Sequence, residues 1–531
     1  MCIIYKELGC NMETHGRKTI LANYTEDELL TGTQEQINAK VLDILKNSVS
    51  IHEQNNSEIK YLQDYLYGKQ DIKDKEKLTR TDINNKGVEN WAYAFQDWKN
   101  TFLLGKPIQY APLTDTSKEE ITTLNQYTKF EGKANLDSKL YEDWFTVGRG
   151  FRYIQPSKVT EEDEAPFDIY NCDVENTEVV YSSSIRHEQL LSFVKTNKQY
   201  IIQEVNPKTG KPEYNTKYYD EYTVYTRNQM FVINNKNSGQ LQIVKQTLEG
   251  KEVDVVPIVP EGHRIIEYYF NKYRMGWLEI GKDIFDDINY VENLDKDDIE
   301  AFVNAIMVFT NAEVDEEAME GIKKFGAVSI KSTDQKKASV EILQSRLKSL
   351  DTQIYYLRKL SALHSILSVP QANNNGEISN AETGKATLTG QGFTSSSIRV
   401  EGEQTSFENC DRKALKTILK ICKNMKDSKI KNLKVSDIEI KFNRDLTENL
   451  LTKTQALLNL QSANIPPEIR NAVIGLFANP VEVTKLQEQY EKERIEIENK
   501  LKQKNTSNNE NGINEQNNVL EDSIQQEKQQ Q

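Results

Sequence analysis

The side chains that could do chemistry are five histidines, five cysteines and a dense run of carboxylates. His15, His52, His187, His263 and His364 are dispersed, and no pair has metal-ligand spacing. Isolated histidines of this kind are ordinarily structural or exposed. Cys2, Cys10, Cys172, Cys410 and Cys422 form no Cys-x-x-Cys pair, so they indicate neither a zinc site nor a disulfide framework and suit a reducing compartment. The nearest approach to a phosphate loop is Glu382-Thr383-Gly384-Lys385-Ala386-Thr387. A phosphate cradle needs Gly at position 379 and a hydroxyl after the Lys for Mg²⁺. The chain has Ser379 and Ala386 there, and no strand leads in, which argues against ATP binding. No Gly-x-Ser-x-Gly and no defensible Cys–His constellation occurs. Asp286-Asp287 and Asp295-Lys296-Asp297-Asp298 could suggest a two-metal nuclease site. Carboxylates that share a metal usually converge from different elements. These fan around one helix, because adjacent helical residues are about 100° apart. They read as a solvated or lumen-facing surface. No catalytic residue, metal or cofactor is expected.

The elements that position these carboxylates are two long helices. The first is expected over about Leu278 to Ile306, with Leu278, Phe285, Ile288, Val291, Leu294, Ile299, Phe302 and Ile306 near helical spacing. The second is expected over about Val340 to Leu367, where Leu343, Leu347, Leu350, Ile354 and Leu357 form a narrow seam. Between them lies a compact insert, and after them a glycine- and asparagine-rich loop, 368–392. That loop holds Asn373, Asn374, Asn375 and one basic residue, Lys385. Loops of this length are usually functional or disordered. A narrow seam on a long helix needs a partner outside the hairpin.

The flanks divide by period. Helices are expected over Gln34 to Tyr67, Gly87 to Leu104, Lys118 to Phe130 and from an Asn135 cap through Phe145. Residues before Asp27 read as irregular. From Arg149 the pattern alternates, in Phe151 to Ile154, Glu178 to Tyr181, Leu190 to Val205, Tyr214 to Tyr225 and Met230 to Ile233, as an antiparallel meander. Phe393 to Met425 is another long helix, Val435 to Phe442 a strand, and Thr447 to Asn464, Pro467 to Phe477 and Val481 to Lys504 further helices. Residues 505–531 are Asn, Gln and Glu with almost no apolar side chains and read as disordered. No internal repeat is evident.

Across 531 residues the net charge is −14 and no apolar run is long enough for a membrane span. The first residues lack the basic leader and apolar core of a signal peptide. Such acidity argues against an ordinary nucleic-acid binder, whose affinity rests on Lys and Arg. It is compatible with a protein that lets nucleic acid pass without holding it, since acidic walls repel phosphate.

Several segments, taken in order, resemble the portal (head–tail connector) proteins of tailed double-stranded DNA bacteriophages, of the long-tailed siphophage type. They are Tyr65-Leu66-Tyr67-Gly68-Lys69, Asn84-Asn85-Lys86, Phe102-Leu103-Leu104-Gly105-Lys106-Pro107-Ile108, Asn135 to Gly150, Val224-Tyr225-Thr226, Pro257 to Ile284 and Asn380 to Ala386. The resemblance covers most of Ile37 to about Ile440 and lies in their order and spacing. The chain departs from it at Lys272-Tyr273-Arg274-Met275-Gly276 and at Gly384-Lys385-Ala386.

The resemblance implies a mainly helical α+β protomer that assembles as a ring, usually of twelve subunits, at one capsid vertex of a virion built in the host cytoplasm. It implies a wing (1–275, helices then strands), a first stem helix (276–307), a small α/β clip (308–338) and a second stem helix (339–367). A tunnel loop (368–392), a wing spine helix and strand (393–446), crown helices (447–504) and the tail follow. Asn373, Asn374, Asn375 and Lys385 would face DNA, and Asp287, Asp295 and Asp298 would be channel-wall candidates. Glu313, Asp315, Glu316, Lys323 and Lys324 of the clip would dock the terminase large subunit and then head-completion or adaptor proteins. Major capsid and scaffolding proteins would be further partners. DNA would be bound non-specifically, and no membrane would be involved. The function implied is a non-enzymatic conduit for packaging and ejecting double-stranded DNA. The alternative is a coiled-coil scaffolding or adaptor protein that never encloses DNA.

Overall fold

The computed structural model describes residues 16–78, 81–113, 117–157, 164–205, 212–237, 239–248, 250–303, 306–310, 312–313, 331–332, 339–343, 349–371, 393–442, 450–463, 465–474, 483–484 and 486–500. Helices are numbered in chain order: α1 Glu26–Leu30, α2 Gln34–Leu66, α3 Trp91–Leu104, α4 Lys118–Phe130, α5 Lys133–Val147, α6 Trp277–Val303, α7 Ser349–Leu367, α8 Phe393–Asn424, α9 Leu450–Ser462 and α10 Pro467–Ile474. The chain divides into two units, 1–444 and 445–531.

In the first unit, α2 starts on a capping box: the Thr33 hydroxyl accepts from the N–H of Gln36, whose side chain returns to the Thr33 N–H. Its inner face, Ile37, Val41, Ile44 and Leu45, packs on Val180, Leu191, Phe193 and Val224 of a large sheet. The strands of that sheet run Ile20–Ala22, Thr177–Ser182, Gln189–Val205, Pro212–Tyr225, Gln229–Asn234, Val256–Pro257 in spatial order. All these neighbours are antiparallel except Ile20–Ala22, which lies parallel to Thr177–Ser182.

The expected meander is therefore only part of the picture. Arg149–Pro156 leaves it and forms a separate three-stranded sheet between Ile265–Tyr269 and Phe167–Cys172. The expected irregular start contains the Ile20–Ala22 strand and α1. Gln109–Pro112, not expected as a strand, pairs with Ile438–Lys441 and joins segments over 300 residues apart.

The three-stranded sheet is covered by α5 and α8, and the largest apolar cluster lies here, with Trp144, Phe151, Tyr268 and Phe407. Charges cross it. Asp411 on α8 accepts from the Tyr110 and Tyr268 hydroxyls at 2.9 and 2.8 Å and lies 3.2 Å from Lys133. Asp137 on α5 takes Lys133 at 2.8 Å and Arg152 at 2.7 Å. Each buried charge thus has a partner, the condition under which burial is tolerable.

α5 ends at Gly148, whose left-handed φ of 76° closes the helix. A Cβ there would lie 2.4 Å from the Arg274 carbonyl carbon, and one on Gly276 would lie 2.4 Å from the Phe145 oxygen. The backbone leading into α6 is therefore pressed directly on the end of α5, which fixes where α6 starts. The second unit contains α9 and α10, and Asn471 on α10 donates to Thr484 Oγ1 at 3.0 Å.

Candidate functional site

α6 and α7 pack along each other, and their ends differ from expectation. α6 stops at Val303, and Ile306–Thr310 is a strand paired antiparallel with Ser339–Leu343. Ile306, Val308, Val340 and Ile342 are β-branched and suit a strand better than a helix. Leu343 is therefore in a strand rather than on the helical seam, and α7 begins at Ser349. Leu360, Leu363 and Leu367 carry the buried face of α7, while Ile354 and Leu357 of the expected seam are exposed.

The carboxylates of α6 separate into two groups. Asp286, Asn289, Asn293 and Asp297, spaced three, four and four, face inward onto the segment that follows α2. The Tyr65 hydroxyl donates to Asp286 Oδ1 at 2.7 Å, and Lys282 reaches Asp286 at 2.9 Å and Asp71 at 3.1 Å. The Glu89 N–H donates to Asn289, and Gly87 exchanges two hydrogen bonds with the Asn293 amide. Asn85 donates its N–H and its amide to Asp297 Oδ1, while Lys75 and Lys77 close on Oδ2 at 2.8 and 2.6 Å. Burial raises the Asp286 carboxyl to about 6, against the opposing pull of Lys282. Burial also pushes the Asp297 carboxyl up, but the donors from Lys75, Lys77 and Asn85 outweigh it and hold it below the usual range.

The expectation of a solvated or lumen-facing acidic surface is therefore corrected for Asp286 and Asp297. Their hydrogen bonds and ion pairs hold the segment that follows α2 against the helix. Tyr65 and Asn85, two residues that carried the sequence resemblance, are the clamp's contacts. Residue type alone did not reveal it; the three-four-four spacing of Asp and Asn on α6 was the available signal.

The outer face is different. Asp283, Asp287 and Asp298 are four and eleven residues apart and share one side of the helix. Asp283 is exposed and Asp287 and Asp298 are half-buried. Asp287 pairs with Lys359 of α7 at 2.5 Å, and Asp298 forms no hydrogen bond or ion pair with a described residue. Asp295 turns toward α7 and accepts from Thr352 Oγ1 at 3.0 Å. Among the channel-wall candidates, Asp287 and Asp298 thus share a face and Asp295 lies on the flank.

The start of α6 is fastened as firmly. Glu279 accepts from the Gly16 N–H at 2.7 Å and from Arg17 at 2.9 Å. Trp277 Nε1 donates to Glu403 of α8, which also takes Lys99 of α3 at 2.5 Å and the Tyr141 hydroxyl of α5 at 2.6 Å. In the last turn of α7, His364 Nδ1 lies 3.0 Å from the Val369 oxygen and its ring packs beside Phe95. Burial lowers its pKa, and its role is structural.

Asn373, Asn374, Asn375 and Lys385 lie outside the described residues, as do Asp315, Glu316, Lys323 and Lys324. Glu313 lies in the short strand Ala312–Glu313, paired with Lys331–Ser332. Among the described residues, no cluster of His, Cys, Asp and Glu could hold a metal, and no helix is long and apolar enough to cross a membrane.

Residues 45–505 match the family described as phage portal protein, SPP1 Gp6-like. Among solved structures, the chain is similar to one in the neck of an empty GTA particle computed with C6 symmetry. The identity is 10% and the TM-score 0.39, over 73% of this chain and 90% of that one. No curated protein sequence matches.

Proposed function

The chain belongs to the SPP1 Gp6-like family of phage portal proteins, which are structural and not enzymes, and on that premise we propose how its parts serve a portal. Copies of the chain form a ring at one vertex of the capsid, and double-stranded DNA is packaged and ejected through its centre. The ring is a dodecamer. α6 and α7 form the stem around the channel, and the α6 face carrying Asp283, Asp287 and Asp298 lines it. The segment between α6 and α7 is the clip, where Glu313, Asp315, Glu316, Lys323 and Lys324 dock the terminase large subunit during packaging and head-completion or adaptor proteins later. Residues 368–392, with Asn373, Asn374, Asn375 and Lys385, form a tunnel loop beside the DNA. The strands and flanking helices are the wing, α8 is its spine, and the second unit is the crown. Major capsid and scaffolding proteins meet the outside of the ring.

The observation that supports this reading best is the division of α6 into two acidic faces. The inner one is neutralised by Lys75, Lys77 and Lys282 and fixes the helix. The outer one keeps carboxylates without such neutralisation at Asp283 and Asp298. A rigid helix that presents acid outward repels phosphate, so a duplex is centred and slides instead of sticking. The test is a DNA-packaging assay with rings in which Asp283 and Asp298 are replaced by lysine. The reading predicts assembled rings that stall DNA; unimpaired packaging would remove the channel wall from this face.

A further inference from the structure

The two flanks of α7 carry complementary surfaces that a single chain leaves open. On one flank, α6 and α7 enclose a groove of about 360 Å³ lined by Val291, Glu292, Asp295, Tyr356 and Leu357, with Glu89 at its edge. Its three carboxylates are only partly offset. Glu292 meets Lys296 at 3.1 Å, Asp295 accepts from Thr352, and Glu89 accepts from the neutral donors Trp91 and Tyr356. The groove is therefore net negative beside an apolar wall, where a charge is screened less than in open water.

The other flank of α7 carries Ile354, Tyr355 and Arg358, with Ile354 and Arg358 four apart on one face. Ile354 is 39% and Tyr355 42% exposed, as is Leu357 at 42% on the groove side. Arg358 is exposed and forms no ion pair with a described residue. A ridge and a groove on opposite flanks of one helix cannot meet within a chain. Between copies they can meet head to tail, the heterologous contact that closes a ring.

We propose that Arg358 of one copy seats in the Glu292–Asp295 groove of the next copy, with Ile354 and Tyr355 packed on that copy's Leu357. A guanidinium suits this place because it is permanently charged and can engage a carboxylate through two parallel bonds. The proposal rests on the ring reading above and places its contact.

The full-length chain tests it. Arg358→Glu is expected to raise the concentration for half-assembly about tenfold or more, by like-charge repulsion in the groove. Adding Glu292→Arg to that variant is expected to restore assembly to within about threefold of the original chain. As an independent readout, in a full-length chain whose five native cysteines are replaced by serine, Arg358→Cys and Glu292→Cys together are expected to give a ladder of bis-maleimide cross-linked chains that neither single variant gives. A monomeric parent chain would refute the ring reading itself. A ring-forming parent with Arg358→Glu assembling equally well, no rescue by the second substitution, or no ladder would overturn this placement alone. Unchanged assembly with altered DNA retention would put Arg358 on the channel wall and overturn it too. If Arg358→Glu misfolds by circular dichroism, the cross-link decides.

Discussion

The Lys75 ammonium lies 2.8 Å from a carboxylate oxygen of Asp297, and both side chains are almost wholly withdrawn from solvent. The pair joins α6 to a segment more than 200 residues earlier, and Lys77 approaches the same carboxylate at 2.6 Å. Removing the acid would leave two cations facing each other without a counter-charge. Asp297→Asn is therefore expected to destabilise the chain by about 3 kcal/mol or more, the cost of breaking a buried pair from one side. Denaturant unfolding of the two proteins measures it. A change below about 0.5 kcal/mol would show that the clamp is incidental.

Glu178 gives a pH dependence of defined sign. Burial pushes its carboxyl up, but Arg149, bonded to both its oxygens, and His52 outweigh this and bring it down to about 2 from 4.5. The unfolded chain then binds the proton more readily, so this stability is complete above about pH 4.5 and is lost as pH falls toward 2. Asp286 acts oppositely. Its carboxyl is raised to about 6 from 3.8, so its contribution falls as pH rises through that interval. Unfolding followed from pH 7 to pH 2 is expected to be shallower at the acid end for Glu178→Gln. For Asp286→Asn, stability relative to the original chain is expected to rise as pH increases from about 4 to 6.

Asp298 tests the sliding surface. Its side chain is half-buried and forms no bond with a described residue, so Asp298→Lys should leave the fold intact. Each copy would lose one negative and gain one positive charge where the duplex passes. DNA retention at low salt is expected to rise at least tenfold and to fall steeply with added salt. Filter binding of assembled rings across a salt series checks both.

The tunnel-loop proposal concerns residues 368–392, between α7 and α8. Lys385→Ala and deletion of 373–376 are each expected to lower the packaged DNA per particle while rings still form. Packaging at the original level in both would leave 368–392 as a connector only.

The helices were legible because their apolar spacing coincides with their packing. Lys118–Phe130 was read to the residue, and α8 to within one residue at its end. Short strands with alternating patterns, such as Thr177–Ser182 and Gln229–Asn234, were legible, but two others were not. Gln109–Pro112 and Ile20–Ala22 are held by partners remote in sequence, which no local pattern encodes. The end of α6 was read too far because Ile306 fits both a helical stripe and a β-branched strand, and only its pairing with Leu343 decides. The acidity of α6 was visible, but its division was not. Whether an aspartate faces solvent or a buried lysine depends on what packs opposite it, and Lys75 arrives from outside the helix.

Whether copies of this chain enclose a channel is decided by negative-stain imaging of the purified full-length protein. Ring particles with a central hole of duplex width are expected, with a mass near twelve chains by light scattering. Elongated particles without a hole, or a clean monomer at micromolar concentration, would contradict it and favour a coiled-coil adaptor.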